Sequence, residues 1–165
     1  MERVNVIDKG LEFAYELQTR TKTDMVVIHH TGNGEDVDAS AASIHATHRN
    51  ANGWAGIGYH YVVRKDGTIE QGRPHWTVGA HAEGHNWHTI GIHLSGDFMY
   101  AEPTDAQIQA TAMLLANICT DYGLLFDAEH IVGHRDVGQT NCPGDNLYDM
   151  LPTLIGKAIF YAEQE

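Results

Sequence analysis

The chain has 165 residues, of which 42% are hydrophobic and 19% charged, and these values indicate one globular domain with an ordinary hydrophobic core. Its formal net charge of −12 argues against a nucleic-acid-binding protein, because neutralising phosphate requires clustered lysine and arginine. The same charge argues against bulk electrostatic attachment to an anionic membrane or wall polymer, so an anionic substrate would have to be bound by local contacts.

The N-terminal stretch MERVNVIDKGLEFAYE mixes charged and apolar residues and contains no continuous apolar run. It lacks the pattern of a signal peptide, and no segment of the sequence is typical of a transmembrane span. We therefore expect a protein made in the cytoplasm, without stable membrane association, that acts elsewhere only after release. Residues 1–24 are interpreted as an arm packed on the domain, which either completes the sheet or serves a partner.

The first half of the chain predicts strands and one helix. Residues 25–30, MVVIHH, form a β-branched apolar run that is typical of a buried strand and ends in two histidines. Residues 38–53 predict a helix capped by Asp38. Residues 58–73 predict a hairpin, and residues 89–96, TIGIHLSG, alternate as a central strand does.

The second half supplies the remaining elements. Thr104 and Gln107 form a capping-box pattern, and Gly123 provides the stop of a long amphipathic helix. Residues 130–137 predict a short strand that runs into a loop, and residues 146–164 predict a closing helix. The sequence therefore indicates an α/β fold, a single domain with a central mixed β-sheet of about five or six strands flanked by about three helices.

The segment GHRDVGQTNCPGDNLY, residues 133–148, carries the chemistry. It places His134 and Cys142 eight positions apart in a loop rich in glycine, asparagine and proline. Imidazole and thiolate suit Zn²⁺, and one histidine of MVVIHH would make three ligands, which leaves the open fourth position of a catalytic site. Spacing alone also allows a simpler interpretation, in which His134 caps a loop and Cys142 is a small buried residue.

Four stretches occur in a characteristic order: VVIHHTG, GIGYHYVVRKDGTIEQGRP, GAHAEGHNWHTIGIHLSGDF and GHRDVGQTNCPGDNLY. Together they resemble the type 2 N-acetylmuramoyl-L-alanine amidases, a family that includes T7-type phage lysozymes and peptidoglycan recognition proteins. The resemblance extends from about Met25 to about Leu154. It implies a zinc-dependent enzyme that hydrolyses the amide bond between N-acetylmuramic acid and L-alanine in peptidoglycan or a muropeptide.

The resemblance also assigns roles to residues. It implies that Zn²⁺ is held by His29, the first histidine of VIHH, together with His134 and Cys142. It implies catalytic roles for Tyr59, of IGY, and for Thr140, two positions before the cysteine. His30 should face the other side of its strand, because successive strand residues alternate.

Three further side chains are predicted to contact substrate. His81 matches the family's GAH, Trp54 is a candidate for the cleft wall, and His93 stands where some relatives carry a catalytic glutamate. His45 and His48, by contrast, are interpreted as solvated or core-capping histidines. Cys119 is interpreted as a buried thiol that forms no disulfide, because pairing with Cys142 would consume a metal ligand.

The resemblance leaves two interpretations of function open. The first is a phage or prophage endolysin, a monomer whose zinc amidase domain spans residues 25–165 and acts on the cell wall after release. The alternative is a non-catalytic peptidoglycan-binding recognition module. Several recognition proteins of that kind lack the cysteine ligand, so the presence of Cys142 favours the enzyme.

Overall fold

Six strands form one mixed sheet in the computed structural model, which describes residues 1–164. The strands are β1 (Val6–Ile7), β2 (Met25–His30), β3 (Tyr61–Val63), β4 (Ile69–Gln71), β5 (Thr89–Leu94) and β6 (Ile131–Gly133). Their order across the sheet is β1-β4-β3-β5-β2-β6. Neighbouring β3 and β4 run antiparallel as the predicted hairpin, and the other neighbours run parallel. The predicted mixed α/β sheet is confirmed.

Three longer helices and one single-turn helix surround the sheet. They are α1 (Ala41–Asn50), α2 (Asp105–Tyr122), the short α3 (Asp145–Tyr148) and α4 (Leu151–Ala162). The long helix α2 has its predicted ends, because the Thr104 hydroxyl accepts from the Gln107 amide and Gly123 adopts a left-handed φ of 67°. None of the helices in the described range is both long and apolar enough to cross a membrane.

The predicted start of α1 was wrong by two residues. Ser40, rather than Asp38, caps the helix by accepting from the Ser43 amide at 3.1 Å. The Asp38 carboxylate instead binds the Arg64 guanidinium at 3.1 Å and the Lys65 amide at 3.0 Å, at the end of β3. A carboxylate taken by a charged partner from another element is no longer available as a helix cap.

Alternation along the central strands separates an apolar face from a polar one. Val26, Ile28, Ile90, Ile92 and Leu94 point into the main core, which α2 and α4 cover. The residues between them therefore point to the opposite face, and these include His29 and His93, which pair in register. The smaller core of α1 lies on this second face. The two histidines thus lie beneath α1 and its neighbouring loops.

The N-terminal residues contact several parts of the domain. Strand β1 adds to the edge of the sheet beside β4, Arg3 forms an ion pair with Asp121 of α2, and the Arg20 amide donates to the Trp76 carbonyl. These contacts describe how residues 1–24 lie on the remainder of the chain. The division of the chain at residue 24 stays a prediction.

The buried imidazole of His60 makes stability depend on pH. Its Nδ1 accepts from the Gly91 amide at 3.0 Å and its Nε2 donates to the Thr77 carbonyl at 2.8 Å, so the neutral ring is fully paired. Burial lowers the pKa of His60 to about 3, and the Arg20 guanidinium acts in the same direction. Below the unfolded pKa of about 6.5, only the unfolded chain protonates this group. We therefore expect His60 to lower the free energy of unfolding by about 1.4 kcal/mol for each pH unit between about 6 and 4.

Urea unfolding of chelator-treated protein, at several pH values between about 7 and 4, measures this slope. The variant His60→Asn keeps an acceptor near the Gly91 amide but cannot be protonated, so its stability should fall less steeply. Equal slopes for the two proteins would show that His60 does not carry the effect.

Candidate metal centre and substrate cleft

Two neighbouring strands and one loop bring His29, His134 and Cys142 together. His29 lies near the carboxyl end of β2, and His134 directly follows β6, which pairs with β2 in parallel. The loop after His134 then folds back and returns Cys142 to the same edge. The nitrogen and sulfur atoms that these residues offer all lie within 4.8 Å of one another. Among residues 1–164 this is the one cluster of three or more such side chains.

The donor set of this cluster fits a metal ion. The Nδ1 of His29 lies 3.7 Å from Cys142 Sγ, and the His29 and His134 rings are 4.6 Å apart between centroids. Two imidazoles with one thiol form a set that contains no hard oxygen donor and leaves a fourth position free. The three residues could therefore hold a metal ion with an open coordination site.

Burial keeps His29 and Cys142 of the cluster uncharged. Burial lowers the pKa of His29 well below its usual value, and the proximity of His81 and His134 adds to the effect. Burial raises the pKa of the Cys142 thiol to about 12. A neutral imidazole is a ready ligand, whereas the thiol loses its proton near neutral pH only when a cation stabilises the thiolate.

Tyr59 lies beside the cluster as a protonated phenol. Its ring centroid is 5.0 Å from that of His29, and its side chain lines the cavities on both sides of the cluster. Burial raises the pKa of Tyr59, and the nearby Cys142 adds to this shift. The phenol therefore remains a hydrogen-bond donor over the whole physiological range.

Thr140 lies on the exposed loop that carries Cys142. Its Oγ1 accepts from the Cys142 amide at 3.1 Å, which fixes the turn just before the cysteine. The hydroxyl hydrogen remains available, and Thr140 lines the same cavity as Tyr59. The structure thus brings Thr140 and Tyr59 to one cleft.

The three predicted substrate contacts occupy different environments. Trp54 is 37% exposed and stacks edge-on against His48 at the cleft wall. His93 is buried, with Nε2 3.0 Å from the Thr31 hydroxyl, and its Nδ1 has no hydrogen-bond partner among residues 1–164. Its ring lies 4.8 Å from that of Tyr59, at the inner end of a small cavity.

The His81 ring contacts the candidate metal ligand His29. Its Nδ1 is 2.9 Å from His29 Nε2 and its Nε2 is 3.2 Å from the Thr89 hydroxyl. Both ring nitrogens therefore have protein partners, and His81 also lines the cavity that contains Trp54. A contact between His81 and the substrate stays a prediction.

His30 and His45 have the structural roles expected from the sequence. The Nδ1 of His30 accepts from the Phe98 amide at 3.1 Å on the opposite side of β2. His45 accepts from the Ile57 amide at 3.0 Å through Nδ1, and its Nε2 lies 2.8 Å from the Glu12 carbonyl. Neither ring nitrogen of His45 is free for other chemistry.

Sequence reasoning missed His48. Its Nδ1 accepts from the Gly58 amide at 3.0 Å, and burial lowers its pKa to about 4, so the neutral ring carries its proton on Nε2. The ring lines two cavities together with Tyr59. The phase of α1 was the available signal, because His48 continues the inward stripe of Ala41, Ile44 and His45.

A cleft extends on both sides of the metal cluster. One cavity of about 450 Å³ includes Asn33, Tyr100, Thr140 and Asn141, and a second of about 560 Å³ includes Trp54, Glu83 and Asn86. Tyr59 and His134 line both. A larger groove of about 830 Å³ lies beside α4 and β6, but it contains no histidine or cysteine. We therefore place the functional site in the cleft, where the chemically active groups converge.

Residues 19–145 match the model of the family Amidase_2, described as N-acetylmuramoyl-L-alanine amidase. The chain belongs to this amidase family. The family inferred from the four motifs is thereby confirmed, and the matched range contains every residue of the metal cluster.

Similar proteins come from animals and bacteria. The human N-acetylmuramoyl-L-alanine amidase is 39% identical over 116 residues, which cover 70% of this chain and 20% of that protein. Peptidoglycan-recognition protein SC2 of Drosophila melanogaster is 37% identical over 133 residues, covering 77% and 71% of the two chains. The solved structure of the endolysin amidase LysCS from Clostridium intestinale has a TM-score of 0.83 at 32% identity and covers 92% and 95%. The chain thus spans about a fifth of the human relative but nearly all of LysCS.

Proposed function

We propose that this chain is a zinc-dependent amidase that hydrolyses the bond between N-acetylmuramic acid and L-alanine of peptidoglycan. The observation that carries the proposal is the cluster of His29, His134 and Cys142 in an open cleft, with the phenol of Tyr59 beside it. Membership of the amidase family supplies the substrate class.

The metal ion and the protein side chains would have separate roles in catalysis. His29, His134 and Cys142 would hold the ion, and their single thiolate charge would leave the site with a net positive charge. When bound, zinc would supply a Lewis acid and a water acidic enough to ionise near neutral pH. The chain itself must then position the scissile carbonyl and stabilise the charge that develops on its oxygen.

Tyr59 is the proposed donor to that oxygen. Its phenol stays protonated and lies beside His29, so it can donate a hydrogen bond that strengthens as negative charge develops in the transition state. The Nε2–H of His48 and the hydroxyl of Thr140 are two further donors in the same cleft. A group of this kind lowers the barrier because it is already in place before charge appears.

The two cavities give the substrate an orientation. Because the scissile bond joins a sugar to a peptide, one cavity would take the glycan side and the other the stem peptide. Trp54 offers an aromatic face at one wall, which suits a sugar ring. His93 lines the small inner cavity and is proposed as a second contact.

The biological setting proposed is that of an endolysin. LysCS, the structural relative described above, carries that name. We propose a monomer whose domain over residues 25–165 degrades the wall after release, with residues 1–24 packed on it. Peptidoglycan or a muropeptide would be its partner.

Mass spectrometry of digested sacculi tests the reaction. The proposal predicts released peptides with a free L-alanine amino terminus, and no release after chelation until zinc is restored. New reducing sugar ends would instead indicate a glycosidase. Binding of muropeptide without cleavage, at full zinc loading, would favour the recognition module.

A further inference from the structure

The segment from Gly79 to Gly91, GAHAEGHNWHTIG, contains His81, whose side chain is buried. We propose that His81 is a positioning residue that fixes the tautomer and the ring orientation of the metal ligand His29, and that this segment holds His81 in place for that purpose. The proposal rests on the metal site of the proposed function. It concerns an action of His81 through His29, and the substrate contact of His81 remains a separate prediction.

A chain of directional hydrogen bonds determines which nitrogen carries each proton. The His85 carbonyl can only accept, and Thr89 Oγ1 lies 2.9 Å from it, so the hydroxyl donates there. The same oxygen, 3.2 Å from His81 Nε2, then accepts from that nitrogen. A neutral His81 with its proton on Nε2 has a free lone pair on Nδ1, and Nδ1 lies 2.9 Å from His29 Nε2.

This series of hydrogen bonds ends at His29 and determines its tautomer. His29 must donate from Nε2 to His81, and its lone pair is therefore left on Nδ1. That nitrogen is the one that lies 3.7 Å from Cys142 Sγ, within the metal cluster. The network thus selects the tautomer of His29 that can bind a metal. The selection originates at the His85 carbonyl, which fixes the direction of the hydrogen bonds through Thr89 and His81.

The surrounding backbone keeps the His81 ring in this orientation. Asn86 Oδ1 accepts from the amides of His81 and Ala82, each at 2.9 Å. A methyl group at Gly91 would lie 2.6 Å from the His81 ring, and one at Gly79 would lie 2.7 Å from it. Both glycines therefore leave the space that the ring fills, and a side chain at either position would displace the ring.

Removal of the hydrogen-bond acceptor at position 81 should weaken metal binding by His29. The Nε2–H of His29, a residue that is 1% exposed, would lose its partner, so the alternative tautomer with the proton on Nδ1 would gain population. That proton competes with the metal for the same lone pair. Loss of a hydrogen-bonding partner behind a metal ligand typically weakens metal binding by about 10- to 100-fold.

Two substitutions that branch at the same carbon separate the effect of the hydrogen bond from the effect of packing. In His81→Asn the side-chain oxygen lies close to the position of Nδ1 and can still accept from His29, whereas His81→Leu has a similar volume and no acceptor. Zinc affinity measured by competition with a chromogenic chelator should fall by about 10- to 100-fold in the leucine variant. The asparagine variant should lie much closer to the unmodified protein.

A spectroscopic measurement reads the tautomer itself. Imidazole ¹⁵N shifts of the metal-free protein should report His29 with its proton on Nε2, and the leucine variant should report a mixture. Thr89→Val keeps His81 but frees its Nε2, so it should shift the same equilibrium and weaken zinc binding to a lesser extent. If the leucine variant does not fold, Thr89→Val decides the question by both measurements.

Equal zinc affinity and an unchanged His29 tautomer in the folded variants would overturn the positioning role. That result is distinct from failure of the proposed function, which would appear as absence of zinc binding or of amide cleavage in the unmodified protein. Even without zinc binding, the ¹⁵N shifts of the metal-free protein would test the tautomer chain.

Discussion

Replacement of Cys142 by serine is expected to abolish both metal binding and amide cleavage. A serine hydroxyl stays neutral and is a poor ligand for Zn²⁺, so the site would retain only the imidazoles of His29 and His134. Metal catalysis contributes several kcal/mol to the stabilisation of transition-state charge, and about 1.4 kcal/mol corresponds to a factor of ten. The rate of cleavage should therefore fall by at least about 10³-fold.

Metal content and the rate of L-alanine amino-terminus release should be measured on the same preparations. The matched control is Cys119→Ala, which alters the other cysteine, a residue that is buried in the main core on α2. This control should keep about one zinc per chain and nearly full activity, although removal of a buried sulfur will lower its stability. A Cys142→Ser protein that keeps its zinc would contradict the ligand assignment.

Replacement of Tyr59 by phenylalanine is expected to reduce kcat by about 10²- to 10³-fold while zinc content stays unchanged. The substitution removes only the hydroxyl, and the aromatic ring continues to pack beside His29 and His93. Because the donated hydrogen bond strengthens as charge develops, the loss should fall mainly on kcat and little on KM.

Steady-state kinetics on a soluble muropeptide measure these two constants separately. Tyr15→Phe is the matched control, because it makes the same chemical change at a phenol that is 60% exposed on the N-terminal arm. Its kcat should stay within about twofold, as is usual for surface substitutions. If Tyr59→Phe behaved like this control, another donor, such as His48, would have to stabilise the oxyanion.

Local patterns predicted the elements whose determinants lie close together in sequence. Helix α2 begins and ends as its cap residues indicate, because Thr104, Gln107 and Gly123 act on backbone groups within one helical turn. The start of α1 was misplaced because Asp38 has its partner at Arg64, on another element. Capping preference could not reveal a competing ion pair of that kind.

The roles of the histidines also divide into those that the local sequence predicts and those that depend on tertiary packing. The alternation of strand residues predicted from the sequence that His29 and His30 face opposite sides of β2. It could not show that His81 would be buried behind His29, because that position depends on the space left by Gly79 and Gly91. Nor could it show that His48 would line the cleft, which depends on how α1 is placed over the sheet.

The sequence by itself determined the family, the strand-and-helix content and the chemical types of the candidate metal donors, since each depends on residue identity and short-range order. Only the tertiary structure decided which nitrogen of His29 faces the thiol and which histidine supports it. Parallel pairing of β2 with β5 and β6 brings together residues that are separated by dozens of positions. Such long crossovers have no local signature, because the free energy that fixes them comes from burying both faces of the sheet.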